Sequence, residues 1–226
     1  MPRTTTKLVS LQKLAEDSSR AVPIVRLMMV ANDLSTANEA MAKHTDETSS
    51  LRKDRDWGAS LYFLRLQISH LFEGLSLVQE IRDTPELSAL LRRCDKQTQE
   101  SFEKLQEFLP GGSNHPRFNK IVARIRNNIT FHYDQQGKVI AKAIQNLAAN
   151  SSRPWAKTTR GDHVFKWRFN VSDRVIDTII CRDILGIPQG EPLREAANNN
   201  AEFLFGAFLL FLDFSGEFLW QYSIEI

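Results

Sequence analysis

Between Asp54 and Arg82 the chain places Leu61, Leu64, Ile68, Leu71, Phe72, Leu75 and Val78 at three- and four-residue intervals. That period matches a helix with one wide apolar stripe and excludes a surface strand. A stripe this wide must be covered by other elements of the fold. Asp54 or Asp56 stands where a cap is expected.

The same period recurs on both sides. Lys7 to Ser19 reads as a short helix, and Pro23 to about Lys43 as a longer one with the proline in its first turn. Thr84-Pro85-Glu86 is a helix start, with Thr84 as cap and Pro85 in first position, and the helix is expected to run to about Leu109. Pro110-Gly111-Gly112-Ser113 ends it. Another helix opens near Pro116 and runs to about Tyr133, and Gly137 separates it from one ending near Ala149. From His163 to Val171 the period changes to two. Phe165, Trp167, Phe169 and Val171 share one face, which reads as buried, and Pro154 to Thr159 is placed to pair with them across Arg160-Gly161-Asp162. Ser172 or Asp173 then caps a helix to about Leu185, and a last helix runs from about Leu193 to Trp220. The expected fold class is all-α, a helical bundle with one small β-hairpin insert near residues 154–171. The domain reading is a single domain over 1–226, with a C-terminal helical extension of about 172–226 packed on it.

Charge is unevenly spread along the 226 residues. The formal net charge is +2, yet residues 115–170 hold eleven Lys/Arg against two Asp/Glu, and residues 171–226 hold three against nine. A basic block of that density points to an anionic partner such as nucleic acid. Cys94 and Cys181 lie far apart and outside any Cys/His cluster, which suits free thiols in a reducing compartment. Leu8 to Arg20 carries too many charges for a secretory signal. Phe203 to Trp220 is the longest apolar stretch, but it includes Asp213 and Glu217, which a bilayer-spanning helix would bury at high cost. That helix is expected in the core or in an oligomer interface. The expected location is therefore cytoplasmic, with no membrane partner. P-loop, HExxH and GxSxG patterns do not occur in the sequence, so nucleotide hydrolases, zincins and α/β-hydrolases gain no support.

The segment Ile125-Arg126-Asn127-Asn128-Ile129-Thr130-Phe131-His132-Tyr133-Asp134 carries the chemistry. Histidine suits proton transfer near neutral pH, and arginine offers phosphate a permanently charged fork of donors. In one regular helix a six-residue separation sets Arg126 and His132 about 120° apart. Either the helix distorts near Phe131 or a second protomer completes the site; we favour the second protomer. The string, an arginine and a polar residue, then four residues, then a histidine, resembles the HEPN signature, in particular that of abortive-infection (AbiU-type) HEPN proteins. Ser69-His70-Leu71-Phe72-Glu73 is similar in layout to the earlier helix of that family.

The resemblance implies a HEPN-like helical bundle and a metal-independent endoribonuclease, a defence or toxin effector without cofactor or metal. It implies a homodimer that joins two Arg/His pairs, RNA as partner, and an antitoxin or regulatory protein as a further partner. It makes Arg126 the phosphate ligand, His132 the acid/base group and Asn127 an orienting support, and suggests Glu73 as an additional acidic residue. Read without it, Glu73 is a solvated or salt-bridged carboxylate, and His70 is a hydrogen-bonded core histidine. The cations Arg124, Arg153, Lys157, Arg160, Lys166 and Arg168, interleaved with Trp155, Phe165 and Trp167, are candidate RNA contacts. Core packing competes for the rings of Phe165 and Trp167. The alternative is a non-catalytic HEPN-fold module that binds RNA or a protein.

Overall fold

The computed structural model describes residues 5–17, 19–43, 50–130, 134, 136–150, 155–160, 162, 168–191 and 198–225, with backbone only at 50–55, 127, 128, 150 and 168. The chain is mostly helical, with almost no strand among these residues. In order come α1 (Leu11–Glu16), α2 (Ala21–Lys43), α3 (Ser50–Asp83), α4 (Pro85–Leu91), α5 (Lys96–Gln106) and α6 (His115–Ile125). A π-helical segment (Arg126–Thr130) and α7 (Lys138–Asn150) follow, then β1 (Thr158–Thr159), β2 (Arg168–Phe169), α8 (Asn170–Asp177), a second π-helical segment (Thr178–Ile184) and α9 (Asn199–Glu225).

Several boundaries differ from expectation, and the caps explain them. Ser10 accepts a hydrogen bond from Lys13 N (3.3 Å), which starts α1 four residues after Lys7. Helix α3 already begins at Ser50, so neither Asp54 nor Asp56 caps it. The helix expected from Pro85 to Leu109 is two. It stops at Leu91, and Asp95 caps α5 by accepting from Thr98 N at 2.7 Å. Thr84 and Pro85 do occupy the cap and first position of α4, although the Thr84 side chain makes no capping bond. Helix α8 starts at Asn170, earlier than Ser172 or Asp173, and Ser172 Oγ instead donates back to Phe169 O (2.7 Å). Helix α9 is capped by Asn198, whose side-chain oxygen accepts from Asn200 N and Ala201 N, both at 3.0 Å. The hairpin is present but short: Thr158 pairs with Phe169 and Thr159 with Arg168, antiparallel. His163–Trp167 lie outside the described residues.

The chain divides into two compact units, with the divisions falling inside α2, α3, α6 and α9. The first comprises residues 1–33, 70–116 and 206–226. Its interior holds Ile24, Leu27, Leu75, Val78, Leu90, Phe102 and Leu105 together with Phe211, Phe214, Phe218 and Tyr222 of α9. Phe214 packs on Phe102 and Phe218, with ring centroids 5.1 and 5.2 Å away. Gly74 lets α3 and α9 close up, since a Cβ there would lie 2.6 Å from Phe211 Cε2. Among the described residues α9 is the one helix long and apolar enough to cross a bilayer. Its aromatic face is nevertheless buried inside this unit, while Asp213 and Glu217 are exposed.

The second unit comprises residues 34–69 and 117–205. It buries Leu61, Leu64 and Ile68 of α3, Phe118, Ile121, Val122 and Ile125 of α6, Ile129, and Ile179, Ile180 and Cys181 of the second π segment. Both π-helical segments belong to this unit.

Candidate functional site

Helix α6 is strongly two-faced. Phe118, Ile121, Val122 and Ile125 are buried, and Arg117, Lys120 and Arg124 are exposed. Arg117 is engaged within the second unit: it donates to Asn199 O and to Asn200 Oδ1 (2.8 Å), and lies 4.3 Å from the Phe203 ring centre. Arg124 stands on the outward side, as an RNA contact requires.

At Arg126 the helix leaves α geometry and continues as a π turn through Thr130. A π turn bonds residues five apart and so rotates less per residue than an α turn; such turns concentrate at functional sites. Two side chains fit this widened geometry. The Thr130 hydroxyl donates to Ile125 O, five residues earlier, at 3.1 Å. Arg65 of α3 donates Nη1 to Ile129 O, so one orphaned carbonyl of the turn is met from another helix. Arg65 is only 7% exposed, and its guanidinium lies 5.7 Å from the Tyr62 ring centre.

The Arg126 side chain is half-buried within this turn. The backbone of Asn127 belongs to the same turn, while its side chain lies outside the described residues, as do Phe131, His132 and Tyr133. The chain is fixed again directly afterwards. Asp134 is buried at φ 46°, a left-handed conformation that aspartate tolerates. Its Oδ2 accepts from Val139 N (2.7 Å) and Ile140 N (2.9 Å), satisfying two orphan donors at the start of α7, where Gly137 has no side chain to do so. The candidate catalytic histidine thus sits between a clamped π turn and an anchored aspartate. Of the two readings, the less favoured one places a distortion near Phe131; the π turn begins at Arg126.

The remaining candidates are dispersed. Glu73 is exposed on α3 and belongs to the first unit, whereas Arg126 belongs to the second. His70 is not a core histidine: it is half-buried, with Nδ1 3.7 Å from Asp33 Oδ2. Lys157 and Arg160 are exposed beside Trp155, which is 87% exposed, and Arg174 Nη1 holds Trp155 O at 2.8 Å. Arg153 and Lys166 lie outside the described residues, and Arg168 is described only as the backbone of β2. The strand face that reads as buried is open where it is described: Phe169 is 52% exposed and Val171 is exposed too. The hairpin is short and α8 begins at once, so these two residues border a cleft.

Elsewhere in the second unit Asp177 accepts from Trp57 Nε1 (3.0 Å) and Arg182 Nε (3.2 Å). Burial pushes its carboxyl above the ordinary range, against the pull of Arg182 and Trp57. The Cys181 thiol is pushed up by burial and by Asp177, and Cys94 to about 11 by burial and Asp95. Both thiols are free and buried, as expected of protonated, unreactive cysteines. Among the described residues no cluster of three His, Cys, Asp or Glu side chains is arranged to hold a metal ion.

Sequence reading missed Arg65 and Asp134. Arg65 had a signal, a cation set between Leu64 and Ile68 inside the apolar stripe of α3. Asp134 had a weaker one, an acid three residues before a glycine that opens a helix. In comparisons with known proteins, no family model, no curated protein and no solved structure matches the chain significantly.

Proposed function

We propose that this protein is a metal-independent endoribonuclease of the HEPN kind, a defence or toxin effector acting as a cytoplasmic homodimer. The observation that carries the reading is the π turn that opens at Arg126. Turns of this kind are rare and concentrate at functional sites, and this one opens at the arginine of the motif. The clamp from Arg65 and the anchor at Asp134 hold both ends of the motif, which is the support a reacting group needs.

In this reading His132 takes the proton of a ribose 2′-hydroxyl. The oxygen attacks the adjacent phosphorus, the P–O5′ bond breaks, and the leaving oxygen gains a proton. The products are a 2′,3′-cyclic phosphate and a 5′-hydroxyl. Arg126 neutralises the charge that builds on the phosphoryl oxygens, commonly a large catalytic contribution. Asn127 orients the pair. Arg124, Lys157, Arg160 and the other cations of residues 115–170 attract the RNA backbone. An antitoxin or regulatory protein would restrain such an activity.

A second reading, a non-catalytic RNA-binding module, is favoured by Trp155, a nearly bare indole flanked by exposed cations. One experiment separates the two. The purified protein is incubated with tRNA and total RNA in EDTA beside Arg126→Ala and His132→Ala. We expect cleavage by the parent, ends carrying 2′,3′-cyclic phosphate, and a loss of about 100-fold or more in each variant. Cleavage by both variants at the parent's rate refutes the site. Salt-sensitive binding without products favours the module.

A further inference from the structure

The second unit contains a cleft of about 790 Å³, a volume in the range of small-molecule sites (~300–1,000 Å³). Its wall is largely aliphatic, with Ile129, Ile140 and Ile144 among the lining residues. Two aromatic rings are unusually open there: Tyr62 is 48% exposed and Phe169 is 52% exposed. Arg65 and Asp173 also line the cleft, though both are almost fully buried. A pocket of apolar surface with a few polar groups and open rings is suited to a flat ligand with a hydrogen-bonding edge.

Two further observations say which flat ligand. Ile129 belongs to the π turn that begins at Arg126, and its carbonyl is the one Arg65 holds. Ile129, Ile140, Ile144 and Phe169 all come from the 115–170 segment, which carries eleven Lys/Arg against two Asp/Glu. The chain's most basic stretch thus supplies part of this apolar wall, beside residues of α3 and α8. A ligand matching both properties is a polyanion that presents aromatic faces.

We infer that this cleft receives an unstacked nucleobase of single-stranded RNA, its face against Tyr62 and Phe169 and its edge towards Ser172 and Asp173. The inference rests on the reading of the protein as one that binds RNA, and it adds a base-holding subsite beside the phosphate-binding arginine. Stacking on aromatic rings tolerates every base, because every base has a π face. A carboxylate only accepts hydrogen bonds, so the Asp173 side favours a base edge that offers an amino group.

The test compares two octamers that cannot be cleaved, 2′-O-methyl octa-adenylate and an abasic 2′-O-methyl octamer of equal charge, by fluorescence anisotropy on the full chain. We expect the adenylate to bind about tenfold tighter or more, with Tyr62→Ala and Phe169→Ala each erasing most of that ratio while the abasic affinity stays unchanged. Both rings are half-exposed, and circular dichroism checks that the variants fold. Equal affinity of the parent for both octamers overturns the subsite and leaves the RNA reading standing. Failure to bind either octamer, with no cleavage of RNA, overturns the RNA reading and the subsite with it. A Tyr62→Ala variant that turns a dimer into a monomer, at unchanged adenylate affinity, assigns the cleft to a second copy of the chain and overturns the subsite.

Discussion

In the first unit the half-buried charges hold one another. Arg20 pairs with Asp17 (2.9 Å) and Glu225 (2.8 Å), Arg93 also reaches Glu225 (2.8 Å), and the Tyr222 hydroxyl donates to Asp17 Oδ2 at 2.9 Å. Among the described residues the second unit has one such pair, Arg182 with Asp177 (3.1 Å), but its most buried arginine is spent on backbone, with Arg65 meeting the Ile129 carbonyl of a π turn. A mutual network closes helix ends and leaves little for a ligand to do. A cation that holds an irregular turn keeps a rare piece of backbone in place, and π turns collect at functional sites. The contrast is why the motif, the π turn and the open aromatic cleft of the second unit are read as machinery, and the aromatic interior of the first as support.

The substitution that strikes this contrast hardest is Arg65→Met. It keeps the apolar length of the side chain and removes the donor from Ile129 O, stranding a buried carbonyl. We expect a loss of about 3 kcal/mol in urea unfolding, since a buried partner left unsatisfied costs the larger share of a charged hydrogen bond. RNA cleavage measured on the folded fraction should fall as well, because the turn that presents Arg126 loses its clamp. A variant that keeps full stability and full activity would remove the special role of this turn. Arg65→Lys should fall between, as lysine reaches with a point charge but lacks the fork.

In the first unit the corresponding blow is steric. Gly74→Ala would set a methyl group 2.6 Å from Phe211 Cε2 and 3.1 Å from Val30 Cγ1. Phe211 is fully buried and cannot swing away, so α3 and α9 must part. Overpacking of this kind costs about 2 kcal/mol, read as a lower urea midpoint. The contrast predicts that activity on the folded fraction stays unchanged. A Gly74→Ala variant that is stable but inactive would place the first unit inside the chemistry.

The long helices were legible because their stripes are strong: Leu61, Leu64 and Ile68 are buried as the period demands. Pro23, Pro85 and the Pro110-Gly111-Gly112 stop were legible because proline and glycine act locally. The break at Cys94 was not, because neither proline nor glycine marks it and it is held by side chains, Asp95 accepting from Thr98 N and Gln99 Nε2 donating to Cys94 O. The sequence places the start of the last helix near Leu193, and the cap of α9 is Asn198. At the candidate site the motif singled out Arg126 and the spacing allowed a distortion near Phe131, but the π turn at Arg126 was not legible, and one of its carbonyls is met by a donor more than sixty residues earlier in the chain. The open faces of Phe169 and Val171 were misread because alternation states which residues share a face and is silent on whether anything covers it.

The smallest effect tests the mutual network. Burial, and then the hydrogen bond to Asp17, push the Tyr222 phenol up to about 12. For Asp17 burial pulls upward, but the hydrogen bonds from Arg20 and Tyr222 outweigh it and hold the carboxyl below its usual value. A phenol whose folded pKa lies above its unfolded value near ~10 keeps its proton longer in the folded chain. Its contribution to stability is therefore complete below pH ~10 and is lost as pH rises from there towards about 12. Tyr222→Phe keeps the ring under the Arg20 guanidinium, 5.3 Å away, and removes only the hydroxyl. We expect it to cost about 1 kcal/mol near neutral pH, and the gap between parent and variant to narrow in urea titrations carried from pH ~9 to pH ~12. The other alkaline groups titrate alike in both proteins and cancel in the difference. A gap that stays constant across that window would mean that Tyr222 contributes by packing alone. The network of the first unit would then reduce to its ion pairs, and its contrast with the Arg65 clamp would rest on those pairs.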